Sequence, residues 1–325
     1  MKKIAFFDAK EYDAKAFMNV NHDGYEYTFF NEKLGSSTVK LAEGFDGVCC
    51  FVNDNVNKEV IDKLHQYKVG VLALRCAGYN NVDLEAAKGK IRVVRVPAYS
   101  PSAVAEHAAA LLLCLERKIH KAYIRSRDFN YSLQGLTGHN LNGKTAGIIG
   151  TGKIGYLFSR ICQGFGMDVI CYDPYPNLNL GLNYVPLDEL FSKANIISLH
   201  CPLTEETRHI INKENIEKMV QNVVIINTSR GGLIDSKALL EGLESKKIRA
   251  AGLDVFEEEA DIFFNDNSTK VNLDETLRLL ISLPNVIVTS HQGYLTYEAL
   301  KNIAMTTIYN FDAYFNQQEL VNEVK

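Results

Sequence analysis

The sequence predicts an α/β protein made of two doubly wound, mainly parallel sheets, the second inserted into the first. Three observations carry that reading. Short apolar runs alternate with helix-patterned segments along most of the chain. A glycine-rich turn between an apolar run and a helical pattern comes only near residue 150, so a full α/β layer precedes it. The last helical pattern, from about Tyr297, has no strand left to join in that second sheet and is expected to return to the first.

The 325 residues suffice for two domains with sizeable cores. A formal net charge of −4, spread along the chain, argues against nucleic acid or an anionic membrane as the main partner. The seven cysteines, among them Cys50, Cys114, Cys162 and Cys171, lie in apolar runs without C-x-x-C pairs, as buried thiols in a reducing compartment do. The amino terminus reaches Asp8 after four apolar positions, too few for a signal-peptide core. No run approaches the roughly 18 apolar residues of a membrane span. A soluble, cytoplasmic protein is expected.

In the first domain, residues 4–7, 25–30, 48–52, 69–74 and 91–96 read as strands buried on both faces, because their apolar runs are nearly continuous. Residues 56–67 and 82–88 read as helices between them. Pro97 to Pro101 make a crossover, with Ser100 as N-cap and Pro101 at the first helical position. A helix over 102–127 follows. Its centre, 103–115, is apolar on nearly every side, which implies burial on more than one face. His107 within it reads as a satisfied interior histidine.

The second domain opens with Gly150, Gly152 and Gly155, a G-x-G-x-x-G placed after the apolar run 145–149. Ile154, Leu157, Phe158 and Ile161 then recur at helical spacing, and a second apolar run, 169–172, ends on Asp173, 18 positions beyond Gly155. That is a βαβ unit with a phosphate-binding turn. Gly150 permits the tight turn, Gly152 lets a pyrophosphate approach bare backbone, and Gly155 lets the helix pack closely on the strand. Free N–H groups and the dipole at the helix start hold the anion. Asp173 is placed to accept from a ribose diol, each bond being worth about 1.5–3 kcal/mol with one charged partner. It also repels a 2′-phosphate, so NAD is favoured over NADP.

Four more strands follow at 195–201, 223–229, 248–255 and 286–290, and polar residues gather after each, where open α/β sheets bind ligands. Residues 260–284 read as an irregular, partly charged loop over the site. The chain crosses between domains near residues 99 and 295. Residues 1–99 and 296–325 thus form a discontinuous substrate-side domain, and residues 100–295 a cofactor domain. No cluster of histidines and acids has metal-ligand spacing, so no metal is expected.

Three ionisable residues follow strand ends: Arg230, Glu259 and His291. Reducing a 2-keto acid by hydride transfer requires a cation for the carboxylate and a proton donor for the keto oxygen. Arg230 offers a planar fork for a carboxylate. His291 is suited to give the proton, a step typically worth about 10²–10⁴-fold. Glu259 nearby would favour the imidazolium.

With these residues the chain resembles the D-isomer-specific 2-hydroxyacid dehydrogenases, most closely the fermentative D-lactate dehydrogenases. The resemblance covers the whole length. It is carried by the stretches Leu74 to Asp83, Val96 to Pro101, Ala105-Glu106-His107, Gly150 to Gly155 and His200 to Thr204. Asn227 to Gly231, Gly252 to Glu257 and Ser290-His291-Gln292 complete it. It implies a Rossmann NAD-binding domain inserted in a flavodoxin-like catalytic domain, and reversible reduction of pyruvate to D-lactate with NADH. By position, Arg230 matches the substrate-binding arginine, Glu259 the partner of the catalytic histidine, and His291 the proton donor. Lys153 and Ile154 match residues on the pyrophosphate, and Asp173 the ribose acid. Cys201, Pro202, Thr207, Thr228, Ser229 and Asp254 fall where the family lines the cofactor. Gly78 and Tyr79 match the loop that holds the substrate carboxylate, and Tyr99 a tyrosine that closes the pocket. A homodimer or homotetramer is implied, with the helix after Pro101 at the interface.

Gln292-Gly293 departs from the small apolar residue and alanine common in the wider family, beside the proton donor. A bulkier substrate of the 2-hydroxyisocaproate type is the nearest alternative, since one methylene changes selectivity by only about 1–3 kcal/mol. An NADH-sensing, corepressor-like binding protein is the alternative from another class.

Overall fold

The computed structural model comprises two compact units, Met1–Ser100 with Tyr294–Lys325, and Pro101–Gly293. Residues 1–20, 24–259, 262–264, 266–268 and 274–324 are described. The first, built from both ends of the chain, is the terminal unit, and the second is the central unit.

The terminal unit begins with β1 (Lys2–Phe6), α1 (Glu11–Asn19), β2 (Tyr25–Phe29) and β3 (Gly47–Cys50). It continues through α2 (Lys58–Gln66), β4 (Val71–Leu74), α3 (Leu84–Ala87) and β5 (Arg92–Arg95). Its five strands are parallel and ordered β2-β1-β3-β4-β5, the flavodoxin-like arrangement. All four residues of β3 and of β4 are buried, the pattern of strands covered on both faces. Helix α1 was not foreseen. Its large aliphatic and phenyl side chains, Phe17 and Met18, are adjacent rather than at helical spacing, and one of its two buried residues is an acid, Asp13, so no apolar stripe announces it.

The central unit starts with α4 (Pro101–Arg117) and α5 (Ile119–Arg127), then β6 (Thr145–Ile149), α6 (Lys153–Gly164), β7 (Asp168–Tyr172), α7 (Leu187–Lys193) and β8 (Ile196–Leu199). It goes on through α8 (Lys213–Lys218), β9 (Val223–Asn227), α9 (Ser236–Glu244), β10 (Ile248–Leu253), α10 (Glu275–Ser282) and β11 (Val286–Val288). The parallel six-stranded sheet runs β11-β10-β9-β8-β6-β7. An isolated parallel bridge joins Cys171 of β7 to Tyr184, in the place of the outermost strand of the 3-2-1-4-5-6 order. The sheet therefore changes winding direction between β6 and β8, the place where such sheets take ligands.

The expected single helix over 102–127 is two. Lys118 adopts φ +53° and ends α4, a conformation that costs a non-glycine residue roughly 1–2 kcal/mol. No glycine or proline marks the break. The apolar face of α4 is covered within its own unit, where Ala105, Ala108, Leu111, Leu112 and Leu115 share a core with Ile148, Phe158 and Ile226. Residues 260–284 are not irregular throughout, because α10 occupies 275–282 with Asp274 accepting from the Leu277 amide as N-cap. The remainder of that expected loop, at 260, 261, 265 and 269–273, lies outside the described residues.

The chain ends in α11 (Tyr297–Phe315), which packs on α1 and β4 of the terminal unit. Its buried Ala304, Ile308 and Phe311 join Ile4, Phe6, Cys49 and Val71. Each large apolar side chain buried there stabilises the unit by about 1.5–3 kcal/mol. Among the described residues, all seven cysteines are free, and no helix is long and apolar enough to cross a membrane.

Candidate active site

Because every strand of the central sheet runs the same way, the segments after β6 to β11 emerge along one edge, and all the candidate cofactor residues sit there. Gly150 has φ +92°, and a Cβ on it would stand 2.6 Å from the Cys201 amide nitrogen. At Gly155 a Cβ would stand 1.9 Å from the Gly150 carbonyl oxygen, so helix and strand can approach only through bare glycine. At Gly152, the N-cap of α6, nothing lies within 4 Å of a Cβ position. Lys153 is exposed and Ile154 half-buried on the first turn.

Asp173 follows β7. Its Oδ2 accepts from the Thr151 amide at 2.8 Å and the Thr151 hydroxyl at 2.9 Å, and its Oδ1 accepts from the Tyr175 amide at 2.9 Å. The acid is thus fastened to the glycine turn through Thr151, a residue the sequence did not single out. Cys201 is buried, Pro202 exposed, and the Thr207 hydroxyl donates to the Pro202 carbonyl at 2.7 Å. Ser229 donates to the Cys201 carbonyl at 2.7 Å, which joins the ends of β8 and β9. Thr228 Oγ1 is buried without a hydrogen-bond partner. An orphaned hydroxyl, an open helix N-terminus and an acid at the strand end together fit a dinucleotide laid along this edge.

The sequence offers three consecutive glutamates after β10, and the structure separates them. Glu257 takes His209 Nε2 at 2.6 Å, Glu258 is exposed, and Glu259 accepts from His291 Nδ1 at 2.7 Å. The other Glu259 oxygen accepts from the Phe256 amide at 2.8 Å, which fixes the carboxylate plane. With Nδ1–H committed to Glu259, the opposite nitrogen, Nε2, is the one available for proton exchange. His291 has φ +53°, a strained conformation costing a non-glycine residue about 1–3 kcal/mol, as functional residues often do. Asp254 Oδ1 accepts from the Thr289 hydroxyl and the Gln292 amide, and Oδ2 from the Gly293 amide, so this buried acid supports the histidine turn from below. Arg230 is exposed at the end of β9, with Nη1 donating to the Ser229 carbonyl at 2.7 Å.

The other histidines of the unit are differently employed. His200 bonds Ser198 Oγ at 2.9 Å, and desolvation by the packed groups around it pushes it down to about 3, so it stays neutral. His107 Nε2 lies 3.0 Å from Thr289 Oγ1 and 3.2 Å from Asp254 Oδ1, the satisfied interior histidine expected.

In the terminal unit, Gly78, Tyr79 and Tyr99 likewise follow strand ends, after β4 and β5. Arg95 donates to the Ala77 carbonyl at 2.7 Å and lies 5.1 Å over the Tyr79 ring, holding that loop. The Tyr99 ring meets Tyr294 edge-on at 5.9 Å, and Tyr294 in turn lies 6.0 Å from Phe51. Phe51 and Tyr294 were not foreseen. They come from segments far apart in sequence, and only the fold groups them.

Residues 109–293 match the family described as D-isomer specific 2-hydroxyacid dehydrogenase, NAD binding domain. Over 99% of both chains the sequence is 49% identical to D-lactate dehydrogenase of Escherichia coli. The chain belongs to the D-isomer-specific 2-hydroxyacid dehydrogenases. Among solved structures, the pyruvate reductase of Chlamydomonas reinhardtii superposes with a TM-score of 0.94 at 43% identity, covering 99% of this chain and 98% of that one. A D-2-hydroxyisocaproate dehydrogenase superposes with a TM-score of 0.88 at 32% identity, covering 99% of each. As a member of this family the protein is an NAD-dependent oxidoreductase, and the central unit, with its glycine turn, carries the NAD-binding domain. Among the described residues no group of histidines, cysteines and acids could hold a metal ion.

Proposed function

We propose that this dehydrogenase interconverts pyruvate and D-lactate in the cytoplasm. The observation that carries the proposal is the His291–Glu259 pair at 2.7 Å, held at strand ends of the NAD-binding domain of a chain 49% identical to a D-lactate dehydrogenase. NADH, when bound, supplies the hydride. Lys153 and Ile154 would border its pyrophosphate, Asp173 its ribose diol, and Cys201, Pro202, Thr207, Thr228, Ser229 and Asp254 the rest of its length. The Arg230 guanidinium binds the substrate carboxylate as a fork. His291, protonated and oriented by Glu259, gives the Nε2 proton to the keto oxygen during reduction and takes it back during lactate oxidation. Substrate-binding roles for Gly78, Tyr79 and Tyr99 belong to the same proposal.

The test is NADH oxidation by the purified protein against pyruvate, 2-ketoisocaproate and phosphohydroxypyruvate, with chiral analysis of the product. A preference for pyruvate giving D-lactate is expected. Preference for the larger keto acid would keep the chemistry and change the substrate. NADH binding without any turnover would turn the reading to an NADH-sensing binding protein. The same assay with NADPH checks Asp173, whose carboxylate should repel a 2′-phosphate; equal use of both cofactors would remove that role.

The assembly proposed is a homodimer or homotetramer built on the helices after Pro101. Helix α5 buries none of its residues, and Ile124, Phe129 and Leu133 are 60%, 82% and 80% exposed. Large apolar side chains exposed close together in sequence are what an interface between copies would cover. Sedimentation equilibrium should return at least twice the chain mass, and a monomer at micromolar concentration would overturn this.

A further inference from the structure

We propose that His107 is a positioning residue for the proton donor: it locks the Thr289–Gly293 turn, and with it the main chain of His291, onto the buried Asp254 carboxylate. The inference rests on the reading of His291 as the acid.

The turn is unusual in how much of its order comes from one side chain. His291 donates its amide to the Asp254 carbonyl at 2.7 Å, and the next two amides, of Gln292 and Gly293, donate to the Asp254 carboxylate at 2.9 and 2.8 Å. Thr289 anchors the other end, with its amide on the Leu253 carbonyl at 2.8 Å and its hydroxyl on Asp254 Oδ1 at 2.5 Å. Those bonds hold His291 at φ +53°, where its imidazole reaches Glu259. Asp254 itself needs support, being 1% exposed.

His107 gives that support from a different element. The Thr289 hydroxyl proton is already committed to Asp254, so its oxygen accepts, and His107 must present Nε2–H at 3.0 Å. The same nitrogen lies 3.2 Å from Asp254 Oδ1 and pairs an ionisable group with that acid. Burial pushes the Asp254 carboxyl up, but hydrogen bonds from His107, Thr289 and the Gln292 amide outweigh it and hold the group below its ordinary value. The ionisable groups facing each other are thus paired separately, His107 with Asp254 and His291 with Glu259. The packing also leaves no slack, since a Cβ on Gly293 would stand 3.0 Å from Asp254 Oδ2 and 3.5 Å from His107 Cδ2. This gives the turn residue Gly293, out of pattern for the wider family, a steric reason.

The experiment compares His107→Leu, His107→Gln and Thr289→Val in pyruvate reduction, with His291→Asn as control. Leucine removes the donor, glutamine restores an N–H, and valine removes the hydroxyl between His107 and Asp254 at similar volume. A proton donor displaced by up to an ångström loses about 10–100-fold in kcat. The expected result is that loss in His107→Leu and Thr289→Val, with the NADH dissociation constant changed less than about twofold. The solvent deuterium isotope effect on kcat should rise, because proton delivery becomes slow, and His107→Gln should recover most of the rate. A merely structural histidine would lower the melting temperature without moving the isotope effect. If His107→Leu does not fold, Thr289→Val decides alone. Should His291→Asn keep its turnover, the acid itself is misassigned. Should it lose turnover while Thr289→Val and folded His107→Leu keep wild-type kcat and isotope effect, the positioning role is wrong.

Discussion

Replacing His291 by asparagine is expected to lower kcat for pyruvate reduction by about 10²–10⁴-fold, the usual worth of a positioned acid. Asparagine is chosen over alanine because the residue sits at φ +53°, where asparagine is tolerated and other side chains are strained. The backbone then keeps its bonds to Asp254, and what is removed is the imidazole, with the Nε2 proton and the bond to Glu259 that orients it. NADH affinity should change by no more than about twofold, because the cofactor residues follow other strands. Fluorescence titration of NADH beside steady-state kinetics separates the two quantities. Since the donor must be protonated to reduce the keto acid and neutral to oxidise the alcohol, the variant should lose both directions of the reaction. Full activity in the variant would take His291 out of the mechanism.

That this residue could be picked from sequence reflects what kind of information a parallel sheet leaves in the chain. Each strand is buried on both faces, so it appears as a bounded apolar run, and the polar residue that follows it lands on the ligand edge. The places of Arg230, Asp173 and His291 after strand ends were legible for that reason. The turn at Gly150 to Gly155 was legible because strand, glycines, helix and acid are all local. Long-range geometry was not. The division of labour among Glu257, Glu258 and Glu259 depends on which histidine each one meets, His209 or His291. The Thr151–Asp173 bond and the His107–Thr289–Asp254 group join segments up to 182 positions apart, as His107 and Thr289 are. Local reversals without glycine were equally silent, as at Lys118. The acid-bearing α1 escaped because its buried face is partly charged, and the ion pair that makes that burial affordable comes from Arg75.

Replacing Arg75 by methionine is expected to destabilise the terminal unit by about 3–5 kcal/mol, the usual cost of leaving a buried carboxylate without its partner. Arg75 is 1% exposed immediately after β4, with Nη1 donating to the Phe7 carbonyl at 2.9 Å and Nη2 to the Asp8 carbonyl at 2.7 Å. Its Nε lies 3.4 Å from Asp13 Oδ1, and the guanidinium lies 4.8 Å over the Phe51 ring. Burial alone would push the guanidinium down, but Asp13 above all, then Cys49, Asp54 and Asp8, raise it instead. Methionine fills much of the same volume, so the loss is electrostatic and hydrogen-bonded rather than a cavity. Urea unfolding of wild type and variant measures it, read on the transition of the terminal unit because two units need not unfold together. The pH dependence gives a second reading. Burial pushes Asp54 up to about 6 against an ordinary value near 3.8, so the folded chain holds a proton there that the unfolded chain releases. Acidification from about pH 6 toward 4 therefore favours the fold at this site, and stability is lost again as pH rises through about 6. Without Arg75, whose charge holds Asp54 down, that carboxyl has still more to gain from protonation, so the gap between variant and wild type should narrow at pH 5 relative to pH 8. A gap that stayed below about 1 kcal/mol at pH 8 would mean that the backbone bonds of Arg75 and its charge are replaceable there, and that the loop carrying Gly78 and Tyr79 is held by Arg95 and its neighbours instead.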